Sequence, residues 1–253
     1  RKWPDQLPIY EMLAEVAVRT GKTAEALSLI DALDQRDGWK GRPEPARLRA
    51  DLLWRDGKWA ECEQALLDFV KRANNEANAR LKLASYYITS EPKVPGNFDR
   101  GLAMLKQINA ELGNDALRPQ IISVQMDAGR LDGAMASIDE ALAARPRDAA
   151  LLSQKGWVHL LRNEVDPAEA ALREALTIDP NNAFARHLRG RIRAARRDLA
   201  GAEQDLAEAR KLAPRNVEFR IALADVYRAQ GNFRDAIVEL RTALEIQPLR
   251  SDV

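Results

Sequence analysis

The sequence predicts an all-α fold, a solenoid of about seven helix-turn-helix repeats. Four prolines stand 34 residues apart, at Pro146, Pro180, Pro214 and Pro248. Two alanine columns and one aliphatic column share this period: Ala134, Ala168, Ala202 and Ala236; Ala141, Ala175, Ala209 and Ala243; Ile138, Leu172, Leu206 and Leu240. A fixed period of this length indicates stacked units, each of which buries its apolar face only against its neighbours.

The repeats are predicted to form one domain over residues 1–253. In chain order, their approximate bounds are 7–42, 43–76, 77–114, 115–148, 149–182, 183–216 and 217–250. The four later copies carry the period clearly, and the earlier three follow it more loosely. The third copy accommodates a five-residue insertion within the segment 90–97, which contains Pro92 and Pro95. We expect this segment to be an extended loop between two helices.

Each repeated position has a physical role, and we number positions from the first residue of a copy. A small residue at position 8, such as Gly156 or Gly190, allows the second helix to approach the first closely. A glycine at position 15, such as Gly129 or Gly231, ends the first helix because glycine adopts a positive φ without steric cost. A proline near the end of the copy stops the second helix.

The copy that begins at Val217 shows the whole pattern, through Leu223, Ala224, Tyr227, Gly231, Phe233, Ala236, Leu240, Ala243 and Pro248. With the 34-residue period, these residues resemble the tetratricopeptide repeat family. The resemblance implies a right-handed superhelix without strands. It also implies a non-catalytic interaction scaffold, whose first helices line a concave groove that binds an extended peptide or a partner helix.

The resemblance also implies which residues line the groove, since the family uses positions 2, 5, 9, 12 and 13. Carried over to this sequence, the predicted partner-binding residues are Arg47, Asp51, Trp54, Met126, Ser153, Trp157, Leu161, His187, Arg191, Asp225 and Arg228. Trp54 and Trp157 are the most informative because tryptophan combines a large apolar area with an N–H donor. The alternative is that each packs against the first helix of the adjacent copy. The carboxylate clamp that some family members use is not reproduced.

Composition limits the chemistry that the chain can perform. Lys and Arg total 39 against 38 Asp and Glu, a formal net charge of +1 that does not call for a polyanionic partner. Cys62 is the only cysteine, so no internal disulfide can form, and only two histidines, His159 and His187, are present. We therefore predict no metal, no cofactor and no catalytic residue. Cys62 and His159 fall in core columns, and no apolar run is long enough to span a membrane.

Three further interpretations stay open at this stage. The chain could be the repeat-bearing portion of a larger enzyme such as a glycosyltransferase, since it begins at Arg1 and only five residues follow Pro248. The arginine-rich stretch 186–197 could contact a nucleic acid, although Glu203, Asp205 and Glu208 could neutralise it. The C-terminal repeat is expected to lack a cap, leaving Ile221, Ile237 and Leu244 available for homo-oligomerisation. A cytoplasmic or periplasmic location is equally compatible with the sequence.

Overall fold

A computed structural model of the chain describes residues 7–247, which form fourteen α-helices and no β-strand. Their bounds are α1 Leu7–Arg19, α2 Thr23–Asp34, α3 Pro43–Arg55, α4 Trp59–Arg72, α5 Ala77–Ser90, α6 Asn97–Leu112, α7 Arg118–Asp127, α8 Leu131–Ala144, α9 Ala149–Leu161, α10 Val165–Ile178, α11 Ala183–Ala195, α12 Leu199–Leu212, α13 Val217–Ala229 and α14 Phe233–Ile246. The predicted all-α class of helix pairs is confirmed. The proline predicted to end the last copy, Pro248, lies outside the described residues.

The chain divides into two compact units, residues 1–121 and residues 122–253. Helices α1–α6 belong to unit 1, α8–α14 belong to unit 2, and α7 contains the boundary. Six of the seven first helices begin at the residue where a predicted copy begins. The exception is α7, which begins at Arg118 because the preceding Asp115 has a φ of +57° and its carboxylate accepts hydrogen bonds from Asn109 and Arg118.

Close approach of the paired helices depends on the small residue at position 8. A Cβ atom built on Gly156 would lie 2.8 Å from the side chain of Leu172, and one on Gly190 would lie 2.7 Å from Leu206. Neither glycine could therefore become alanine without moving a buried leucine. This contact fixes the spacing of α9 with α10 and of α11 with α12, as the repeat pattern predicts.

The first helix of most repeats ends in the left-handed backbone region at position 15. Gly129 and Gly231 have φ values of +68° and +81°, and Gly21 and Gly57 are similar. The fifth and sixth copies lack this glycine but keep the same conformation, with φ of +61° at Asn163 and +67° at Arg197, whereas Glu91 of the third copy has a φ of −48°. The turn geometry is therefore set by the packing of the helix pair, and a non-glycine residue is strained into it.

The core of each unit lies between its helices and is continued from one repeat to the next. The most regular position of this core is position 24, which lies on the second helix of each repeat. In the first six repeats it is fully buried and is occupied by Ile30, Leu66, Leu105, Ile138, Leu172 and Leu206. Leu172 packs with Leu188 and Ile192 of the following first helix. Stability therefore comes from contacts between neighbouring helices within a unit, as expected of stacked repeats.

The insertion of the third copy is held more tightly than the sequence predicts. The Glu91 carboxylate accepts hydrogen bonds from the backbone N–H groups of Gly96 and Phe98, at the start of α6. The Asn97 side chain donates to the Ser90 hydroxyl at 2.8 Å, and both residues are buried. The segment is thus a compact turn that caps α6 and does not extend away from the helices.

Candidate partner-binding surfaces

Unit 1 has a surface groove across the first helices of its three repeats, α1, α3 and α5. One depression of about 280 Å³ lies between α3 and α5, and its lining includes Asp51, Trp54, Lys82 and Ser85. A second depression of about 410 Å³ lies between α1 and α3 and is lined in part by Asp51 and Arg47. Because Asp51 lines both, the two depressions form one continuous surface, which we call the unit 1 groove.

Four charged side chains form a ladder of ion pairs along this groove. The Arg47 guanidinium contacts Glu11 of α1 at 2.6 Å and Asp51 of its own helix at 3.3 Å. Asp51 in turn contacts the Lys82 ammonium group of α5 at 2.7 Å. Arg47 and Asp51 are both half-buried. The charges alternate in sign along the ladder, so each of these two side chains lies between two oppositely charged groups. Two of the predicted site residues are therefore brought together, each with a partner from another repeat.

Trp54 combines the two roles that the sequence leaves open. Its ring makes edge-on contacts with Trp59, at a centroid distance of 4.9 Å, and with Tyr86 of the next first helix, at 5.6 Å. It remains half-buried and forms part of the lining of the 280 Å³ depression. Trp54 therefore packs against the adjacent repeat and also presents an apolar surface to the groove.

Cys62 lies beneath the same depression and is confirmed as a buried thiol. It is 1% exposed, and its Sγ donates to the Ala50 carbonyl oxygen at 3.3 Å. Burial, which disfavours the thiolate, and the charge of Asp51 raise the pKa of Cys62 to about 12. A thiol with this pKa is almost entirely protonated at neutral pH, so Cys62 has the chemistry of a core residue.

In unit 2, Trp157 lies at the centre of a mixed aromatic and basic surface on α9 and α11. The Arg191 guanidinium lies 5.5 Å from the Trp157 ring centroid, and Phe184 contacts the same ring edge-on at 6.2 Å. Leu161 is exposed at the end of α9, one turn after Trp157. Leu161 and Arg191 are thus exposed, whereas Trp157 is half-buried and packs against the core of unit 2. We call Trp157, Phe184 and Arg191 the Trp157 cluster.

A further depression of about 230 Å³ lies between α11 and α13, and Arg191 and Asp225 contribute to its lining. Asp225 accepts a hydrogen bond of 3.0 Å from Arg228, and both side chains are largely exposed. Two of the predicted residues, Arg191 and Asp225, therefore line one depression beside the Trp157 cluster, and Arg228 is paired with Asp225. The Asp225–Arg228 ion pair contributes little stability because both side chains are exposed to solvent.

The structure corrects the predicted placement of Ser153 and His187, whose side chains are buried. The Ser153 hydroxyl donates to the Ala149 carbonyl oxygen, and the His187 ring stacks on Phe219 of α13 at 4.7 Å. The first helix of the following repeat covers His187, whereas Arg47, also at position 5, stays half-buried in the unit 1 groove. Met126, which was also predicted to line the groove, is only partly buried and packs against the core of unit 2.

Burial also changes the titration of His187. Desolvation and the nearby Arg191 charge lower the pKa of His187 to about 4, so the ring is neutral at physiological pH. Its Nδ1 atom has no hydrogen-bond partner among the described residues. His159, predicted to be a core residue, lies at the aromatic position but is only half-buried, with its Nδ1 atom 2.6 Å from a carboxylate oxygen of Glu164.

Most of the arginines in the stretch 186–197 form ion pairs with nearby carboxylates, which agrees with the interpretation that acidic residues neutralise this stretch. Asp205 is 1% exposed and contacts three of its arginines, Arg186, Arg189 and Arg193. Arg196 reaches the preceding repeat and contacts Asp166 and Glu169. Of the three acidic residues named from sequence proximity, Asp205 provides this neutralisation, while Glu203 binds Gln230 and Glu208 binds Lys211.

Sequence reasoning missed Glu11 and Lys82 in the unit 1 groove. Glu11 occupies position 5 of the first copy, and Lys82 occupies position 6 of the third, next to a groove position. The alternation of acidic and basic residues at neighbouring positions of successive copies is the signal that could have identified them. The pairing itself depends on the offset between helices, which the repeat period does not specify.

Neither a metal centre nor a membrane span is indicated for residues 7–247. Among them, no three His, Cys, Asp or Glu side chains are grouped so that they could hold a metal ion. None of the described helices combines the length and the apolar character that are required to cross a bilayer.

Comparison with known proteins agrees with the fold and the repeat pattern. Two family models described as tetratricopeptide repeats match residues 121–183 and 193–253. No curated protein matches the sequence significantly.

Among solved structures, a chain of the APC/C hetero-tetramer Cut9–Hcn1 is similar over 98% of this chain, with 16% identity and a TM-score of 0.54. The match covers 48% of that chain, so this protein spans about half of its length. A tetratricopeptide repeat protein from Parabacteroides merdae is similar over 89% of this chain and 87% of its own, with 17% identity and a TM-score of 0.51. Together with the 34-residue period and the helix pairs, the family matches identify the chain as a member of the tetratricopeptide repeat family.

Proposed function

We propose that the chain is a non-catalytic scaffold that binds an extended peptide or a partner helix along its first helices. The observation that supports this most directly is the Trp157 cluster, in which a large, half-buried aromatic ring lies beside an exposed guanidinium. Aromatic and arginine side chains on a rigid helical surface provide most of the binding energy in many protein interfaces. The TPR repeats of this chain favour the same role.

The unit 1 groove supports the proposal independently. Its 280 Å³ depression has an apolar floor formed by Trp54, Tyr86 and Leu66, and a rim that carries the Asp51–Lys82 ion pair. A pocket of this size accommodates one apolar side chain, and the polar rim can hydrogen-bond to the adjoining peptide backbone. The proposed ligand of unit 1 is therefore a peptide with an apolar anchor flanked by polar groups.

The alternative functions receive less support from the structure. A nucleic acid would require exposed basic groups, whereas four of the six arginines of the 186–197 stretch contact carboxylates. For a recruiting portion of a larger enzyme, the same groove and cluster would supply the binding surface. The scaffold proposal applies in that case as well.

The test uses peptides selected on the immobilised chain, whose affinities are then measured for variants. Trp157→Ala is expected to weaken the binding of unit 2 ligands at least tenfold, because it removes the ring that Arg191 and Phe184 contact. Leu161→Ala should weaken binding several-fold. Val165→Ala is the matched control, because Leu161 and Val165 are 40% and 39% exposed and Val165 lies on a second helix.

Ligands of the unit 1 groove need a variant that leaves its core intact. Ser85 is exposed and contributes to the lining of the 280 Å³ depression, so Ser85→Arg fills the depression without disturbing Trp54. Loss of binding in Ser85→Arg alone would assign a peptide to unit 1. If selected peptides bind the wild type, Trp157→Ala and Ser85→Arg with equal affinity, both proposed surfaces are rejected.

A further inference from the structure

The last helix, α14, exposes an apolar stripe at positions 17, 21, 24 and 28 of its repeat. These residues, which share one helical face, are Phe233, Ile237, Leu240 and Leu244. Leu240 is 43% exposed, whereas position 24 is at most 2% exposed in the six earlier repeats. The stripe is therefore a core face of the repeat that has no cover among the described residues.

The earlier repeats show what covers this face. Leu206, at position 24 of α12, packs with Leu223 and Val226 of α13. Leu172, at the same position of α10, packs with Leu188 and Ile192 of α11. In both cases the cover is the first helix of the following repeat, which contributes apolar residues from positions 6 or 7 and position 10.

Helix α1 exposes those same positions. Met12, Leu13 and Val16 occupy positions 6, 7 and 10 of the first repeat, and all three are exposed. Val16 is 56% exposed, whereas the corresponding Leu52, Tyr86, Val158, Ile192 and Val226 are at most 4% exposed. The chain therefore carries both halves of one inter-repeat contact, on two different helices.

We propose that a second copy of this chain completes the contact, with α14 of one copy packed against α1 of the next. The register is the one that joins α12 to α13 within unit 2. The two faces differ, so the interface is heterologous and each pair of copies still presents one free face of each kind. The chain is therefore expected to assemble beyond a dimer as its concentration rises.

The charges that flank the two faces are compatible with this register. Between neighbouring repeats, position 7 of the first helix pairs with position 25 of the preceding second helix, as in Arg49–Asp31 and Lys155–Asp139. The same register between copies places the uncharged Leu13 beside Arg241, so no like-charge contact arises at this pair of positions. The proposed contact joins one helix of each copy, so we expect its assembly to depend on protein concentration.

The test is sedimentation velocity of the full chain over a range of concentrations. Ile237→Lys places a charge in the α14 face, and Val16→Lys does so in the α1 face. Val238→Lys is the matched control, because position 22 is exposed in every repeat and lies outside the inter-repeat contact. The wild type and Val238→Lys should form species larger than dimers, whereas Ile237→Lys and Val16→Lys should each stay monomeric.

The decisive experiment is to mix the two variants, Ile237→Lys and Val16→Lys. Ile237→Lys retains an intact α1 face and Val16→Lys retains an intact α14 face, so the mixture should form dimers and nothing larger. A wild type that is monomeric at every concentration would overturn the proposal and assign the face to another protein or to a further repeat. Assembly that persists in either variant, or a mixture without dimers, would overturn it equally. Circular dichroism establishes that each variant keeps its helices.

Discussion

Arg189 of α11 forms two parallel hydrogen bonds with the carboxylate of Asp205 on α12, at 2.8 and 2.6 Å. Arg193 contacts the same carboxylate, which is almost fully buried. A single acidic side chain therefore holds the charge of a basic helix against the second helix of its own repeat. Planar guanidinium groups are well suited to this bidentate geometry.

Asp205→Asn is expected to lower the free energy of unfolding by roughly 2 to 4 kcal/mol, because it leaves guanidinium groups beside a buried site without a counter-charge. Chemical denaturation measures the change. Asp225→Asn is the control, since its ion pair with Arg228 is exposed on both sides and should contribute under about 1 kcal/mol. Equal effects of the two substitutions would show that the buried carboxylate has no special role.

The stability of unit 2 should depend on pH through His187. Its pKa is lowered to about 4 in the folded protein from 6.5, so between these values the unfolded chain binds the proton first. The free energy of unfolding therefore falls as the pH falls from about 6.5 towards 4, by roughly 1 to 3 kcal/mol. His187→Phe, which keeps the stack on Phe219, should remove this part of the pH dependence. An unchanged slope in the variant would contradict the assignment.

Arg197→Gly should stabilise the protein by about 0.5 to 1 kcal/mol, measured by thermal or chemical unfolding. Arg197 is held at a φ of +67°, a conformation that is strained for a side chain with a Cβ atom and natural for glycine. Asn163→Gly is the comparison, with a φ of +61° but a smaller expected gain because asparagine tolerates this region. A loss of stability in Arg197→Gly would mean that the arginine makes a contact that outweighs the strain.

Cys62 should be unreactive towards thiol reagents while the protein is folded. Its pKa is raised to about 12 and its side chain is buried, so both the thiolate and access to it are lacking. At mildly alkaline pH, we expect a disulfide reagent to label Cys62 only after denaturant is added. The rate of labelling should then equal the rate at which unit 1 unfolds. Rapid stoichiometric labelling in native buffer would refute the burial.

The repeat period predicted the fold because one position, repeated seven times, carries the same physical requirement each time. Six first helices begin at the predicted residue, and the small residues Gly156 and Gly190 lie at close helix contacts. At the surface, Leu161 and Arg191 are exposed at positions 13 and 9, whereas Met126, at position 12, packs against the core of unit 2. The period could not predict that the ring of His187, at position 5, is covered by Phe219 of the next first helix.

Contacts between repeats were less predictable than contacts within them. Asp205 could be named as a partner of the arginines because it lies in the same repeat. The partners of Arg196 in the preceding repeat, Asp166 and Glu169, could not be predicted. The repeat period does not specify the offset between helices of neighbouring repeats. The Glu11–Arg47 pair escaped prediction for the same reason.

The ladder from Glu11 through Arg47 and Asp51 to Lys82 has a consequence for any ligand of the unit 1 groove. A charged group that enters meets side chains that already hold a partner, so binding there exchanges one ion pair for another. An exchange of this kind adds little affinity, whereas a group of the wrong sign incurs the full repulsion. In the proposed binding role, the affinity of the groove for a peptide would depend on the order of charges along the peptide and only weakly on its net charge.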